Sequence, residues 1–181
     1  MKIAVIGASG NVGARISAEL AGRGHTVTAI VRNPEKVARL ANVSAVKGDA
    51  KEQAGLAGLL KGHDVAVSSV HFLDSDPAKL IGAAKASGVG RYIVVGGAGS
   101  LEVAPGVRLV TTPNFLPQYK AEAEAGGAFL DLLRRESELN WTFISPSAVF
   151  VAGEKTSKFR LGGDQLLTEA NATDADLARA L

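Results

Sequence analysis

The sequence predicts an α/β protein with a doubly wound parallel sheet, flanked by helices, in a single domain, and three observations carry that expectation. An apolar run, Lys2-Ile3-Ala4-Val5-Ile6, opens the chain and enters a glycine-punctuated turn, Gly7-Ala8-Ser9-Gly10-Asn11-Val12-Gly13. The turn leads into an amphipathic stretch through Ile16 and Leu20, followed by a second apolar run, Thr26-Val27-Thr28-Ala29-Ile30-Val31. Beyond it, buried-strand patterns alternate with helical ones, the order that winds a parallel sheet with helices on its faces.

In order, residues 2–6 are the first strand, an amphipathic stretch from Ala14 to Ala21 is the first helix and 26–31 form the second strand. Asn33-Pro34 reads as N-cap and first position of a short helix carrying Val37 and Leu40 three apart. A third strand covers 43–47 and stops at Gly48-Asp49. A helix over about residues 51–61 puts Leu56, Leu59 and Leu60 on one face. Residues 64–70 are apolar enough for a strand buried on both sides, as parallel strands are. Asp76-Pro77 caps the next helix, lined by Leu80, Ile81 and Ala84 and closed by Gly88. Residues 91–95 make the fifth strand. From Gly96 to Gln118 the glycines and prolines read as a long functional loop. A helix over about residues 118–136 offers Ala125, Phe129, Leu132 and Leu133 to the core, and 139–144 is the sixth strand. The remainder is weakly patterned, with a short strand expected at 158–161 and a helix at 174–181. One domain spans residues 1–181, with 145–181 as a small substrate-side region.

Composition narrows the function classes. With 181 residues and 46% hydrophobic content the chain can bury a sizeable core. Its 20 basic and 18 acidic residues are interleaved to a net charge of +2, which implies no nucleic-acid partner. There is no cysteine, so disulfides and thiolate chemistry are excluded. His25, His63 and His71 show no metal-ligand spacing. No apolar run approaches the roughly 18 residues of a membrane span, and the first strand follows Met1 directly, so the expected location is cytoplasmic.

The first thirty residues are the most informative. Strand, glycine turn, helix and strand make a Rossmann-like βαβ unit, in which glycines serve a tight bend, close approach of a pyrophosphate and helix-on-strand packing. The helix start beyond the turn attracts anions. The alternative is a glycine-rich turn that binds nothing, and the flanking pattern argues against it. Arg32 ends the second strand about 20 residues beyond the loop, where a ribose-reading group is expected. An aspartate there would accept from the ribose 2′-OH, whereas an arginine offers a charge-assisted fork to a 2′-phosphate, so the expected cofactor is NADP(H) in preference to NAD(H). The other reading of Arg32 is a surface residue at a strand end. Lys36 adds charge nearby or is simply solvated.

The residues Ile-Gly-Ala-Ser-Gly-Asn-Val-Gly, Val-Arg-Asn-Pro, Gly48-Asp49, Gly96-Gly97-Ala98-Gly99-Ser100-Leu101 and Asn140-Trp141-Thr142 with Ser145-Pro146 together resemble the atypical short-chain dehydrogenase/reductases, of NmrA-like and biliverdin/flavin reductase type. The resemblance spans most of the chain and is weakest over the last 25 residues. It implies that Gly7, Ser9, Gly10, Asn11, Val12 and Gly13 hold the dinucleotide. It also implies that Asp49 faces the adenine amino group, although a turn aspartate capping the next helix reads as well. Ser68 and Ser69 end the fourth strand at the switch-point crevice, where they line the adenosine or satisfy local backbone groups.

Conventional members of the wider group use Ser, Tyr and Lys, with Tyr and Lys four apart on a helix. Here Tyr119 and Lys120 are adjacent, about 100° apart around a helix, and position 123 is alanine. The dyad is missing. Tyr119 then reads as a loop-to-helix anchor more readily than as an acid, while Lys120 has reach to a nicotinamide ribose. Ser100, just after the fifth strand, is a carbonyl-polarising hydroxyl or a local turn residue. His71 faces the same edge or is polar filler. No G-x-S-x-G elbow or P-loop occurs. The resemblance implies an NADPH-dependent reductase acting on a conjugated or aromatic acceptor such as a flavin, quinone or tetrapyrrole, with solvent supplying the proton. The alternative is an NADP(H)-binding sensor that regulates a partner without turnover. A small-molecule substrate and a monomer or homodimer complete the expectation.

Overall fold

The computed structural model describes residues 1–148, 159–167 and 173–175. The chain divides into two compact units, Met1–Val95 with Phe129–Ile144, and Gly96–Ala128 with Ser145–Leu181.

The first unit contains the sheet. Six parallel strands, β1 (Lys2–Ile6), β2 (Thr26–Val31), β3 (Val43–Lys47), β4 (Val65–Ser68), β5 (Arg91–Val95) and β8 (Trp141–Ile144), lie in the order β3-β2-β1-β4-β5-β8. Ile6 stands opposite Ile30 on one side and Ser68 on the other, so β1 is central. This is the Rossmann-like doubly wound sheet that the sequence predicts. From β1 the order steps one way to β2 and β3, and the other way to β4, β5 and β8. Right-handed crossovers therefore put α1 (Asn11–Gly22) on one face and α2 (Gln53–Leu60), α3 (Pro77–Ser87) and the part of α4 (Pro117–Arg134) that begins at Phe129 on the other. Ala4, Ile6, Ile30, Ala66, Tyr92 and Val94 pack with Leu56, Leu60, Leu80, Ile81, Phe129 and Leu133 in one cluster. The alternate strand residues Ile3, Val5, Val27 and Ala29 point the other way and are equally buried, as are Ile16 and Leu20 of α1. Parallel strands covered on both faces account for their near-continuous apolar runs.

Local signals set several boundaries. Asp76 Oδ1 accepts from Ala78 N at 3.0 Å and Lys79 N at 3.2 Å, Pro77 opens α3, and Gly88 closes it at φ 70°. Elsewhere the structure corrects the expectation. Asn33-Pro34 starts only a single 3₁₀ turn, Pro34–Lys36, and Asn33 makes no side-chain cap. Leu40 is exposed, and the segment turns back to β3 through Asn42 at φ 64°. Two apolar residues three apart supply too narrow a stripe to hold a helix on the sheet. On α4, Leu132 is exposed and Leu130 takes the buried position beside Phe129 and Leu133.

The stretch from Gly96 to Gln118, which the glycines and prolines suggest is a long functional loop, carries regular structure of its own within the second unit. A 3₁₀ turn at Ala98–Ser100 precedes an antiparallel hairpin of β6 (Glu102–Ala104) and β7 (Val107–Arg108), then a 3₁₀ turn at Leu109–Thr111 and the beginning of α4. Glu102 N donates to Asp164 O and Leu166 N to Glu102 O, both at 2.8 Å, adding a short stretch beside β6. β9 (Phe159–Leu161) pairs antiparallel with β10 (Thr173–Ala175). The short strand expected at 158–161 is thus present, whereas Asp174 and Ala175 are extended instead of opening a helix; the rest of that expected helix, 176–181, lies outside the described residues. No helix among the described residues is long and apolar enough to cross a membrane.

Candidate functional site

The phosphate loop joins β1 to α1. Gly7 adopts φ 82°, the left-handed region that favours glycine, and its N–H donates to Ile30 O at 3.0 Å, which bends the chain sharply off the sheet. A Cβ there would also run into the Ser69 carbonyl at the end of β4 and stand 2.9 Å from Val70 Cγ1. Gly13 lets α1 sit against the turn: a Cβ would collide with the Gly7 carbonyl oxygen and lie 3.1 Å from Ala8 Cα. Gly10 differs. It is exposed, and a Cβ would meet only Gly7 O, at 3.3 Å.

Gly10 is the N-cap of α1, and no side chain caps that end. The N–H groups of Asn11, Val12 and Gly13 therefore stand at the positive end of the helix, with exposed Ser9 and Gly10 beside them. This donor set suits a pyrophosphate. Arg15 Nη1 reaches back to Asn11 O at 2.7 Å and to Asn11 Oδ1, bringing a guanidinium over the first turn. Sequence reasoning passed over Arg15, although the spacing of four from Asn11 was available as a signal.

The other cofactor candidates follow the carboxyl ends of neighbouring strands. Arg32 comes directly after β2, exposed, and makes no hydrogen bond or ion pair among the described residues. Asp49, two residues beyond β3, accepts from Lys51 N at 2.9 Å through Oδ1, so one carboxylate oxygen is used in the local turn and Oδ2 remains. Ser69 N donates to Ile6 O at 2.9 Å and its carbonyl packs on Gly7. Ser68 points into the core, on the same strand face as Ala66, and its buried hydroxyl has no hydrogen-bond partner among the described residues. His71 is exposed, next to Phe72, which is held by Phe129 edge-on at 5.9 Å and Phe143 stacked at 6.1 Å.

The remaining candidates belong to the second unit. Ser100 is buried, its Oγ donating to Gly97 O at 3.1 Å and lying 3.2 Å from Ser145 Oγ. The adjacent Gly99 packs directly on Ala123 of α4, where a Cβ would come within 2.7 Å of the alanine methyl. Ala123 is the residue four beyond Tyr119, the position where the usual dyad would carry its lysine. Tyr119 is 60% exposed, too solvated for an anchor. Lys120 Nζ lies 3.9 Å from Glu124 Oε1, a surface i,i+4 pair. Ser145, which enters the sequence reading only with Pro146 in the family resemblance and within the substrate-side region, emerges as the partner of Ser100; its place directly after a sheet strand is the signal.

With this geometry in hand, similarity to known proteins becomes decisive. The family model described as NAD(P)H-binding matches residues 7–181. The chain belongs to that NAD(P)H-binding family. Among curated relatives, the uncharacterized protein YwnB of Bacillus subtilis (strain 168) is 36% identical over 178 residues, spanning 94% of this chain and 83% of its own length. Among solved structures, a protein of Burkholderia pseudomallei provisionally named as exported is 41% identical, with TM-score 0.83, over 95% of this chain and 85% of that one. A protein of Streptococcus pneumoniae TIGR4 provisionally named an NADH-flavin reductase is 36% identical, with TM-score 0.79, over 93% of this chain and 83% of that one. The resemblance to the atypical short-chain dehydrogenase/reductases of NmrA-like reductase type is borne out.

Proposed function

We propose that this chain is an NADPH-dependent oxidoreductase that reduces a small conjugated or aromatic acceptor, a flavin, quinone or tetrapyrrole. The observation that carries the reading is the pairing of an uncapped α1 N-terminus, Gly10 to Gly13, with an exposed Arg32 that has no partner among the described residues. In this reading the N–H groups of Asn11, Val12 and Gly13 and the Ser9 hydroxyl hold the pyrophosphate, and Arg32 grips the 2′-phosphate. The free Oδ2 of Asp49 accepts from the adenine amino group, and the backbone of Ser68 and Ser69 borders the adenosine. When bound, NADPH supplies the hydride. An acceptor that delocalises the incoming charge takes its proton from solvent, so the missing tyrosine acid is no obstacle. Binding and orientation then supply most of the rate, with Ser100, Lys120, Tyr119 and His71 as the side chains to test for contact with acceptor or nicotinamide ribose. A cytoplasmic monomer or homodimer, with no nucleic-acid partner, fits this reading.

The second reading, an NADP(H) sensor without turnover, is favoured by one observation: Ala123, packed on Gly99, leaves no place for the dyad lysine beyond Tyr119. NADPH oxidation with a panel of flavins and quinones separates the two. Turnover with one of them supports the reductase; micromolar NADPH binding with no oxidation across the panel overturns it in favour of the sensor.

A further inference from the structure

The hydroxyl pair of the second unit assigns roles that the reductase reading leaves open. Ser100 Oγ is in reach of two oxygens, Gly97 O at 3.1 Å and Ser145 Oγ at 3.2 Å. A carbonyl can only accept, so the arrangement that satisfies every group sends the Ser100 proton to Gly97 and the Ser145 proton to Ser100. Among the described residues, turning the Ser100 proton toward a ligand would leave the Gly97 carbonyl with only a long 3.5 Å contact from the Ser100 N–H. Turning the Ser145 proton outward gives up only its bond to Ser100 Oγ and leaves the Ser100 bond to Gly97 O intact. Exposure points the same way: Ser100 is 7% exposed, while Ser145 is only half-buried.

We propose that Ser145, and not Ser100, is the hydroxyl that donates to a carbonyl oxygen of the acceptor, with Ser100 as the positioning residue that orients the Ser145 hydroxyl before the acceptor arrives. The acceptor class, a quinone or flavin carbonyl, rests on the function proposed above. No proton leaves Ser145; the hydroxyl exchanges one hydrogen-bond acceptor, Ser100 Oγ, for another.

The test compares wild type with Ser145→Ala, Ser100→Ala, the double variant and Ser145→Thr. For each, the Kd of FMN and of a benzoquinone is measured on the NADP⁺ complex, alongside the Kd of NADP⁺ and steady-state kcat and KM with NADPH. Ser145→Ala is expected to raise acceptor Kd and KM about ten- to fiftyfold, as for a lost hydrogen bond to a ligand, with NADP⁺ affinity within about twofold. Ser100→Ala costs less, the double variant is no worse than Ser145→Ala, and Ser145→Thr restores binding. Should the alanine variant not fold, Ser145→Cys, a near-isosteric weak donor, gives the same loss. A larger effect at Ser100 than at Ser145, or unchanged acceptor Kd in Ser145→Ala, overturns the assignment, as does a wild type whose NADP⁺ complex binds neither acceptor. Acceptor binding without turnover in wild type sinks the reductase reading alone.

Discussion

At Arg32 the guanidinium stands exposed one residue beyond β2 with no partner among the described residues, so its charge is available to a ligand at no cost in broken contacts. A 2′-phosphate held by an arginine fork gains charge-assisted bonds of about 1.5–3 kcal/mol each. Arg32→Asp should therefore weaken NADPH roughly 30- to 150-fold while changing NADH by no more than about threefold, read by fluorescence titration with both cofactors. Equal loss for the two would return Arg32 to a surface residue. Tyr92 offers a contrasting case. Burial pushes its phenol well up, the neighbouring Ser68 hydroxyl offsets part of that, and neither hydroxyl reaches hydrogen-bond geometry with a partner. Tyr92→Phe removes a buried polar atom that satisfies nothing, so stability in urea should be unchanged or about 1 kcal/mol higher; a loss beyond about 1.5 kcal/mol would reveal a partner for the phenol. The places of the glycines in the β1–α1 turn and of Arg32 directly after β2 were legible because they depend on sequence spacing. The inward turn of Ser68 and the Ser100–Ser145 pair were not, because each depends on a neighbour distant in the chain.

Among the elements, the β1–α1 turn separates folding from binding within seven residues. At Gly13 a Cβ meets the Gly7 carbonyl, backbone that has nowhere to move, whereas at Gly10 it meets the same oxygen at 3.3 Å on an otherwise open side. Gly13→Ala is expected to destabilise the protein by about 2 kcal/mol or more in thermal melts, as overpacking against fixed atoms does. Gly10→Ala should stay within about 1 kcal/mol of wild type yet weaken the dinucleotide at least about tenfold, because the new methyl occupies the pyrophosphate approach. If both variants bind NADPH as wild type does, the loop is not the phosphate site. Helix α3 was legible to the residue at its caps because Asp76, Pro77 and Gly88 act locally. The hairpin β6–β7 was missed although Pro105-Gly106 between valines is a hairpin signal; the surrounding glycines outweighed it. The segment after Arg32 was read as a helix from residue type alone, and the lack of a wide apolar face decided otherwise.

For the molecule as a whole, the alternation of buried strands and helices made the doubly wound parallel sheet readable, because short right-handed crossovers leave few other windings. The division into two units was less readable, since the second is assembled from two segments with β8 between them in the chain. Within the first unit, Lys85 near the end of α3 ties that helix to the stretch before β8, through Glu136 Oε2 at 3.1 Å and Glu138 Oε2 at 2.9 Å. The Glu138 N–H, which donates to Glu136 Oε1, and then the Lys85 ammonium hold the Glu136 carboxyl below its ordinary value of 4.5. The two carboxylates raise Lys85 above 10.5. A depressed carboxyl contributes stability that is present above its unfolded value and disappears as the pH falls through its folded one. A raised ammonium contributes stability that is present below 10.5 and disappears as the pH climbs through its folded value. Glu136→Gln should then lower the melting temperature slightly at pH 7, and the gap to wild type should close as the pH drops below 4.5 and shrink in added salt, since the cluster is open to solvent. A gap that persists unchanged at acid pH would mean that Glu136 works by packing, with its charge irrelevant.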